Sequence, residues 1–236
     1  MAPALLFDLD GTLVDTATDL AMTLNRLLAE CGYPTLSHRR IRRFVGGGAR
    51  GIVRGGLRSV GGPADEATID AWVHRFLAVY DAAPAANSHP FPGARELVPR
   101  LHADGWRLGV CTNKPQLPAD HVVDHLGLAG AFGAVVGGDA VAAKKPDPGH
   151  IDAVLARLNA GRADAVLVGD SRTDLDAARN AGIPVVLVTH GYTEMPVTGM
   201  GADRVITHFD ALPAALDALG ACAGTRGSLT RVWPGR

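Results

Sequence analysis

The side chains best placed for chemistry in this chain lie in three polar clusters, each closing a short apolar run. Asp8 and Asp10 follow "LLF" in "LLFDLDGTLVDT" (5–16), Thr112 and Asn113 end "WRLGVCTNK" (106–114), and Asp170 and Asp174 end "DAVLVGDSRTD" (164–174). A fourth segment, "KKPDP" (144–148), adds Lys145 on a loop that Pro146 is expected to hold extended, because the residue before a proline disfavours helical backbone. Four carboxylates gathered at buried strand ends would repel one another by several kcal/mol unless a cation intervened. An all-oxygen donor set of that kind suits a hard ion such as Mg2+. The Thr112 hydroxyl, the Lys145 ammonium and the backbone N–H groups beyond a strand end are donors for phosphate oxygens. A cation, a lysine and a free carboxylate in one crevice make a site for phosphoryl chemistry.

These residues share a crevice only if the apolar runs are neighbouring strands. The runs are continuous rather than alternating, as in strands of a parallel sheet covered on both faces. Weaker strands are expected at 184–190 ("PVVLVTH") and 203–208 ("DRVITH"), and helices at 93–105, 150–161 and 174–182. The alternation predicts a doubly wound, Rossmann-like α/β core with a mainly parallel sheet, whose ligands bind beyond the carboxyl ends of the strands. Residues 16–88 break the pattern and read as helices only, including 16–32, with Thr16 as a cap candidate and an acidic residue three positions later, and 64–83. The expected organisation is a core of residues 1–15 and 89–220, an inserted all-helical cap of 16–88 hinged at 14–16 and 83–93, and a mobile tail of 221–236 that Trp233 could pin.

The chain has 236 residues, with 23 Lys and Arg against 24 Asp and Glu, so neither nucleic acid nor an anionic membrane is expected as the main partner. Cys31, Cys111 and Cys222 are odd in number and form no CxxC pair; they are expected to be buried apolar residues in a reducing compartment. The opening "MAPALLFDLD" lacks a basic leader, and its apolar run is too short for a membrane span, which suggests a cytoplasmic location. The nine histidines are expected in core or surface roles rather than as metal ligands.

The ordered set "DLDGT", "TNKP", "KKPDP" and "GDSRTD" resembles the haloacid dehalogenase superfamily of phosphotransferases over residues 4 to about 215, and the helical insertion is similar to its four-helix cap. The resemblance implies that Asp8 is a nucleophile forming an aspartyl phosphate and that Asp10 is the acid and then the base. It implies phosphate binding by Thr112 and Lys145, with Asn113 and Gly11 beside them. Metal ligation is implied for Asp8 and Asp170 and for Asp10 through its carbonyl, with Asp174 in support. An aspartate at position 10 points to phosphate esters, since an expelled halide needs no proton. The segments 36–50, 91–93, 110–115, 135–139, "KKPDP" and "HGYT" (190–193) resemble bacterial phosphoglycolate phosphatases, implying 2-phosphoglycolate as substrate. Other sugar phosphates, nucleotides, pyrophosphate and a mutase of the beta-phosphoglucomutase type are the alternatives, and a monomer or small homo-oligomer is expected.

Within the cap, Gly46 to Gly48 read as a flexible loop able to close over the site, and Arg50, Arg54 and Arg58 recur every four residues. Arg50 is expected to meet a substrate carboxylate. Arg39, Arg40, Arg42 and Arg43 read as a charged helix surface, and Lys144 as solvated.

Overall fold

The computed structural model describes residues 2–82, 85–193 and 195–221. The chain opens with β1 (Ala4–Phe7) and a short β2 (Val14–Asp15), then enters the helices α1 (Ala17–Glu30), α2 (His38–Arg42), α3 (Gly48–Ser59) and α4 (Glu66–Tyr80). It returns through β3 (His89–Pro90) to α5 (Ala94–Ala103), β4 (Arg107–Cys111), α6 (Gln116–His125), β5 (Ala134–Val136) and α7 (Pro148–Arg157). β6 (Ala165–Gly169), α8 (Arg172–Ala181), β7 (Val185–Val188), β8 (Arg204–Ile206) and α9 (Leu212–Ala218) complete it.

The six long-range strands form one sheet in the order β5-β4-β1-β6-β7-β8, and every neighbouring pair is parallel. This is the doubly wound sheet expected from the continuous apolar runs. Alternate residues of β1 serve opposite faces: Leu5 and Phe7 pack with α5, α6, α9 and the inserted helices, and Ala4 and Leu6 with α7 and α8. All four are fully buried. The strand order reverses around β1, so the carboxyl ends of β4, β1 and β6 open into the crevice where ligands of such sheets bind.

Each segment expected as a hinge contains a two-residue strand. β2 and β3 pair antiparallel, Val14 with Pro90 and Asp15 with His89, so the chain leaves for the inserted helices and returns from them side by side. Thr16 occupies the N-cap position of α1 without making the side-chain cap bond expected of it. Its expected acidic partner, Asp19, is buried and binds the return hinge instead, accepting from Asn87 N and Ser88 Oγ at 3.0 and 2.6 Å. A tertiary contact has displaced the local capping box.

β2, β3, α6, β5 and α9 were not expected from the sequence pattern, two of them for identifiable reasons. α6 contains Pro118, which sits in its first turn, where backbone N–H groups have no intrahelical acceptor and a proline costs little. β5 is three residues long, too short to show a period. Cys111 is buried as expected, whereas Cys31 is exposed. Cys222, Trp233 and the rest of the expected mobile tail lie outside the described residues, apart from Ala221. Among the described residues no helix is long and apolar enough to cross a membrane.

Candidate active site

Asp8 follows β1 directly, and its N–H donates to Val168 O at 2.9 Å, so the nucleophile candidate is fixed by one more rung of the sheet. The chain then turns sharply at Gly11, with φ +88° and its N–H given to Val14 O. A Cβ there would lie 2.7 Å from Asp170 Oδ2, so the turn tolerates only glycine. Gly11, which the resemblance places beside the phosphate, thus spends its N–H on the turn itself.

Asp170, just beyond β6, is held from both sides. Thr12 Oγ1 donates to its Oδ1 at 3.2 Å and Tyr192 N to its Oδ2 at 2.7 Å. Asp174 lies in the first turn of α8 in a reciprocal capping box with Ser171, so its capping role and its site role coincide. Its Oδ2 accepts from Asp170 N and Ser171 N, at 3.2 and 3.1 Å. Its Oδ1 faces Lys145 Nζ at 2.7 Å, and the same ammonium lies 2.9 Å from Asp8 Oδ1.

Asp8, Asp170 and Asp174 each bring a carboxylate oxygen within 4.8 Å of the others. Burial pushes the Asp8 carboxyl up to about 6, with Lys145 pulling against it and Asp174 adding to it. Burial, Asp174 and Asp8 raise Asp170 well above the carboxylate range. One lysine does not offset three carboxylates, and the oxygen donor set that remains suits a hard divalent cation. Asp10 stands apart from this cluster. Its carboxylate is turned to Thr16 and Lys114, which leaves only its backbone carbonyl, the group inferred from the resemblance, for metal ligation.

The phosphate-binding candidates come from two loops tied together. Thr112 extends β4, with its N–H on Val136 O at 3.2 Å, and its Oγ1 accepts from Lys114 N, so it does not cap α6. Asn113 Nδ2 donates to Lys145 O at 3.0 Å. The Lys145–Pro146 bond is cis and sits in a turn, rather than in the extended run expected. Behind it, His150 is fully buried, its Nδ1 accepting from Lys145 N at 3.2 Å and its Nε2 donating to Val136 O at 3.0 Å. Burial pushes His150 down to about 4, so it is neutral at physiological pH. Nothing in its spacing singled it out.

Three further residues complete the arrangement. Lys114, in the "TNKP" motif, is buried, with Nζ 3.2 and 3.3 Å from the Asp10 oxygens and 3.0 Å from the hydroxyl of Tyr80 at the end of α4. Tyr192 OH accepts from Thr16 N and Ala17 N and donates to Asp15 Oδ1, which ties the outgoing hinge to the loop that holds Asp170. Arg42, expected on a charged surface, is half-buried, with its guanidinium 4.9 Å above the Tyr192 ring.

The glycine loop of the inserted helices reaches the core. Val45 and Gly46 line a small cleft together with Asp8, Asp10, Thr112 and Lys145. A Cβ on Gly48, φ +66°, would come 2.9 Å from Asn113 O. Beside it a cavity of about 480 Å³ opens outward, lined by Asp10, Arg42, Gly47, Asp170 and Tyr192. Arg50 is not turned to this space. It pairs with Glu66 and Asp70 on the exposed side of the inserted helices, where Arg54 also meets Glu66 at 2.8 Å. Lys144 is exposed, as expected.

A six-stranded parallel sheet carrying carboxylates and a buried lysine near its central strand ends, with helices inserted after the first strand, is a Rossmann-like doubly wound core with an all-helical insertion. The family model for haloacid dehalogenase-like hydrolases matches residues 5–188, and this chain belongs to that family. It is 45% identical over 209 residues to a phosphoglycolate phosphatase of Caulobacter vibrioides, covering 89% of this chain and 88% of the relative. It is 42% identical over 216 residues to a phosphoglycolate phosphatase of Rhodospirillum rubrum, covering 90% of each. A crystal structure described as a predicted phosphoglycolate phosphatase from Haemophilus somnus 129pt superposes with a TM-score of 0.82 at 26% identity, covering 90% of this chain and 97% of that one.

Proposed function

We propose that this chain is a Mg2+-dependent phosphatase that hydrolyses a small phosphate monoester, 2-phosphoglycolate, to glycolate and phosphate in the cytoplasm. The observation that carries the reading is the Asp8 carboxylate, fixed to the sheet and 2.9 Å from the buried Lys145 ammonium, beside the Thr112 hydroxyl. The names of the two relatives, at 45% and 42% identity over nearly the whole chain, support the substrate.

Lys145, Thr112 and the Asn113 loop bind the phosphoryl oxygens and align phosphorus with Asp8. An Asp8 oxygen attacks phosphorus, the P–O bond to the alkoxide breaks, and Asp10 delivers a proton to the departing oxygen. Asp10 then takes a proton from water as that water attacks the aspartyl phosphate, which frees phosphate and regenerates Asp8. Asp8, Asp170 and the Asp10 carbonyl would hold Mg2+, which would supply positive charge to offset that of the phosphoryl oxygens. Asp174 holds Lys145 and the start of α8 in place. The inserted helices act as a cap, with Val45 and Gly46 closing the cleft against bulk water. Arg50 serves a substrate carboxylate only by leaving Glu66 and Asp70.

The reading is tested by phosphate release from a panel of small phosphate esters with Mg2+, using Asp8→Asn as the blank. Preferred turnover of 2-phosphoglycolate is expected. Equal rates on many esters would remove the substrate assignment, and isomerisation of a sugar phosphate without matching phosphate release would make the protein a mutase.

A further inference from the structure

Lys114 is a buried cation that the mechanism above does not use. All of its donors are committed among the described residues: two contacts go to the Asp10 carboxylate and one to Tyr80 OH, and Nζ also lies 4.4 Å from the centre of the Tyr80 ring. Its backbone is fixed as well, its N–H on Thr112 Oγ1 at 3.2 Å and its carbonyl on Gly138 N at 2.8 Å. So placed, its ammonium has no donor left for substrate.

The contacts on Asp10 are unequal. Oδ1 takes both Thr16 Oγ1 at 2.7 Å and Lys114 at 3.2 Å, whereas Oδ2, among the described residues, takes only Lys114 at 3.3 Å. A carboxyl that must give a proton and later take one at a single position works best with one oxygen anchored and the other presented. Tyr80 comes from the last turn of α4, so the lysine joins the core acid to the last of the inserted helices. Leu20, Ile52, Phe76 and Pro118 line a small cavity together with Asp10, Tyr80 and Lys114, so the contacts lie beside largely apolar side chains, where they are stronger than in water.

We propose that Lys114, held by Tyr80, is a positioning residue for Asp10: it fixes the carboxyl so that Oδ2 faces the leaving oxygen when the cap is in place. This rests on the phosphatase reading and adds to it a cap residue on which the proton transfer depends. Lys114 touches neither phosphorus nor the nucleophile, so its removal is felt where a proton must be delivered.

The test compares kcat/KM for 2-phosphoglycolate, whose alkoxide needs a proton, with kcat/KM for 4-nitrophenyl phosphate, whose leaving group departs without one. This parameter reports steps up to and including transfer to Asp8, so later hydrolysis of the phosphoenzyme does not obscure it. In Lys114→Met the loss on 2-phosphoglycolate is expected to be about 10²-fold or more, and on 4-nitrophenyl phosphate less than about tenfold. Tyr80→Phe keeps the ring and removes one hydrogen bond, and serves if the methionine variant does not fold. It is expected to show the same selectivity at about a tenth of the size. Equal losses on the two esters, or no loss in either variant, would overturn the positioning role. Wild-type protein inert to both esters would remove the phosphatase reading and this proposal with it.

Discussion

Asp8→Asn should stop turnover and, in the absence of metal, make the protein more stable. In the folded chain the Asp8 carboxyl is raised from 3.8 to about 6 by burial, against the pull of Lys145. Folded Asp8 therefore binds its proton more tightly than unfolded Asp8, and stability falls as pH rises from about 4 to about 6. Above that window the charged form costs about 3 kcal/mol, and below it the cost vanishes. Asparagine keeps the shape and an acceptor for Lys145 but carries no charge, and Lys145 retains Asp174 at 2.7 Å. Because the repulsion is shared among three carboxylates, the expected gain is about 1 to 3 kcal/mol, or roughly 3 to 8 °C in Tm for a chain of this size. The assay is thermal unfolding of both proteins in EDTA at pH 7.5 and pH 4, repeated with Mg2+. The variant should melt higher in EDTA at pH 7.5 and match the wild type near pH 4. With Mg2+ the order should reverse, because only the wild type keeps the full ligand set. A variant that melts lower than wild type in EDTA at pH 7.5 would refute the argument that an uncompensated carboxylate cluster is what calls for the cation.

His150 gives a slope of opposite sign. Burial holds it near 4 against 6.5 unfolded, so on acidification the unfolded state takes up a proton that the folded state refuses. With Mg2+ present, stability should fall by up to about 3 kcal/mol between pH 6.5 and 4. Denaturant titrations of His150→Gln should lack that slope, and an unchanged slope would exclude His150 as its source. Asp19→Ala removes the acceptor for Asn87 N and Ser88 Oγ and should cost about 2 to 3 kcal/mol in urea unfolding; a loss under about 0.5 kcal/mol would mean that the return hinge is held otherwise. Gly191→Ala places a Cβ 2.2 Å from Asp170 and should weaken Mg2+ binding at least about tenfold by calorimetry, whereas unchanged affinity would show that Asp170 is not a ligand.

Much of this was legible along the chain. Apolar runs ending in Asp8, Thr112 and Asp170 identify parallel strands and place these groups at one edge, because a doubly wound sheet aligns its carboxyl ends whatever the details of packing. Asp174 was legible for the same reason, and Lys145 from its place in the "KKPDP" loop and the resemblance that loop carries. The local signals at Thr16 and Asp19 misled, since they fit a capping box while the fold uses both side chains elsewhere, on Asp10 and on the return hinge. Lys114 and Lys145 are both lysines followed by proline in motif-bearing loops, and spacing does not say which meets the nucleophile and which the acid. That is decided where Asp174 lies against one and Tyr80 against the other, 29 and 34 positions away in sequence. Sequence determined the longer strands and helices of the core and which end of the sheet carries the chemistry, because hydrophobic period and strand direction are local properties. Tertiary structure decided the partner of each charge, because Coulomb and hydrogen-bond contacts act over a few ångströms and only folding brings distant residues that close.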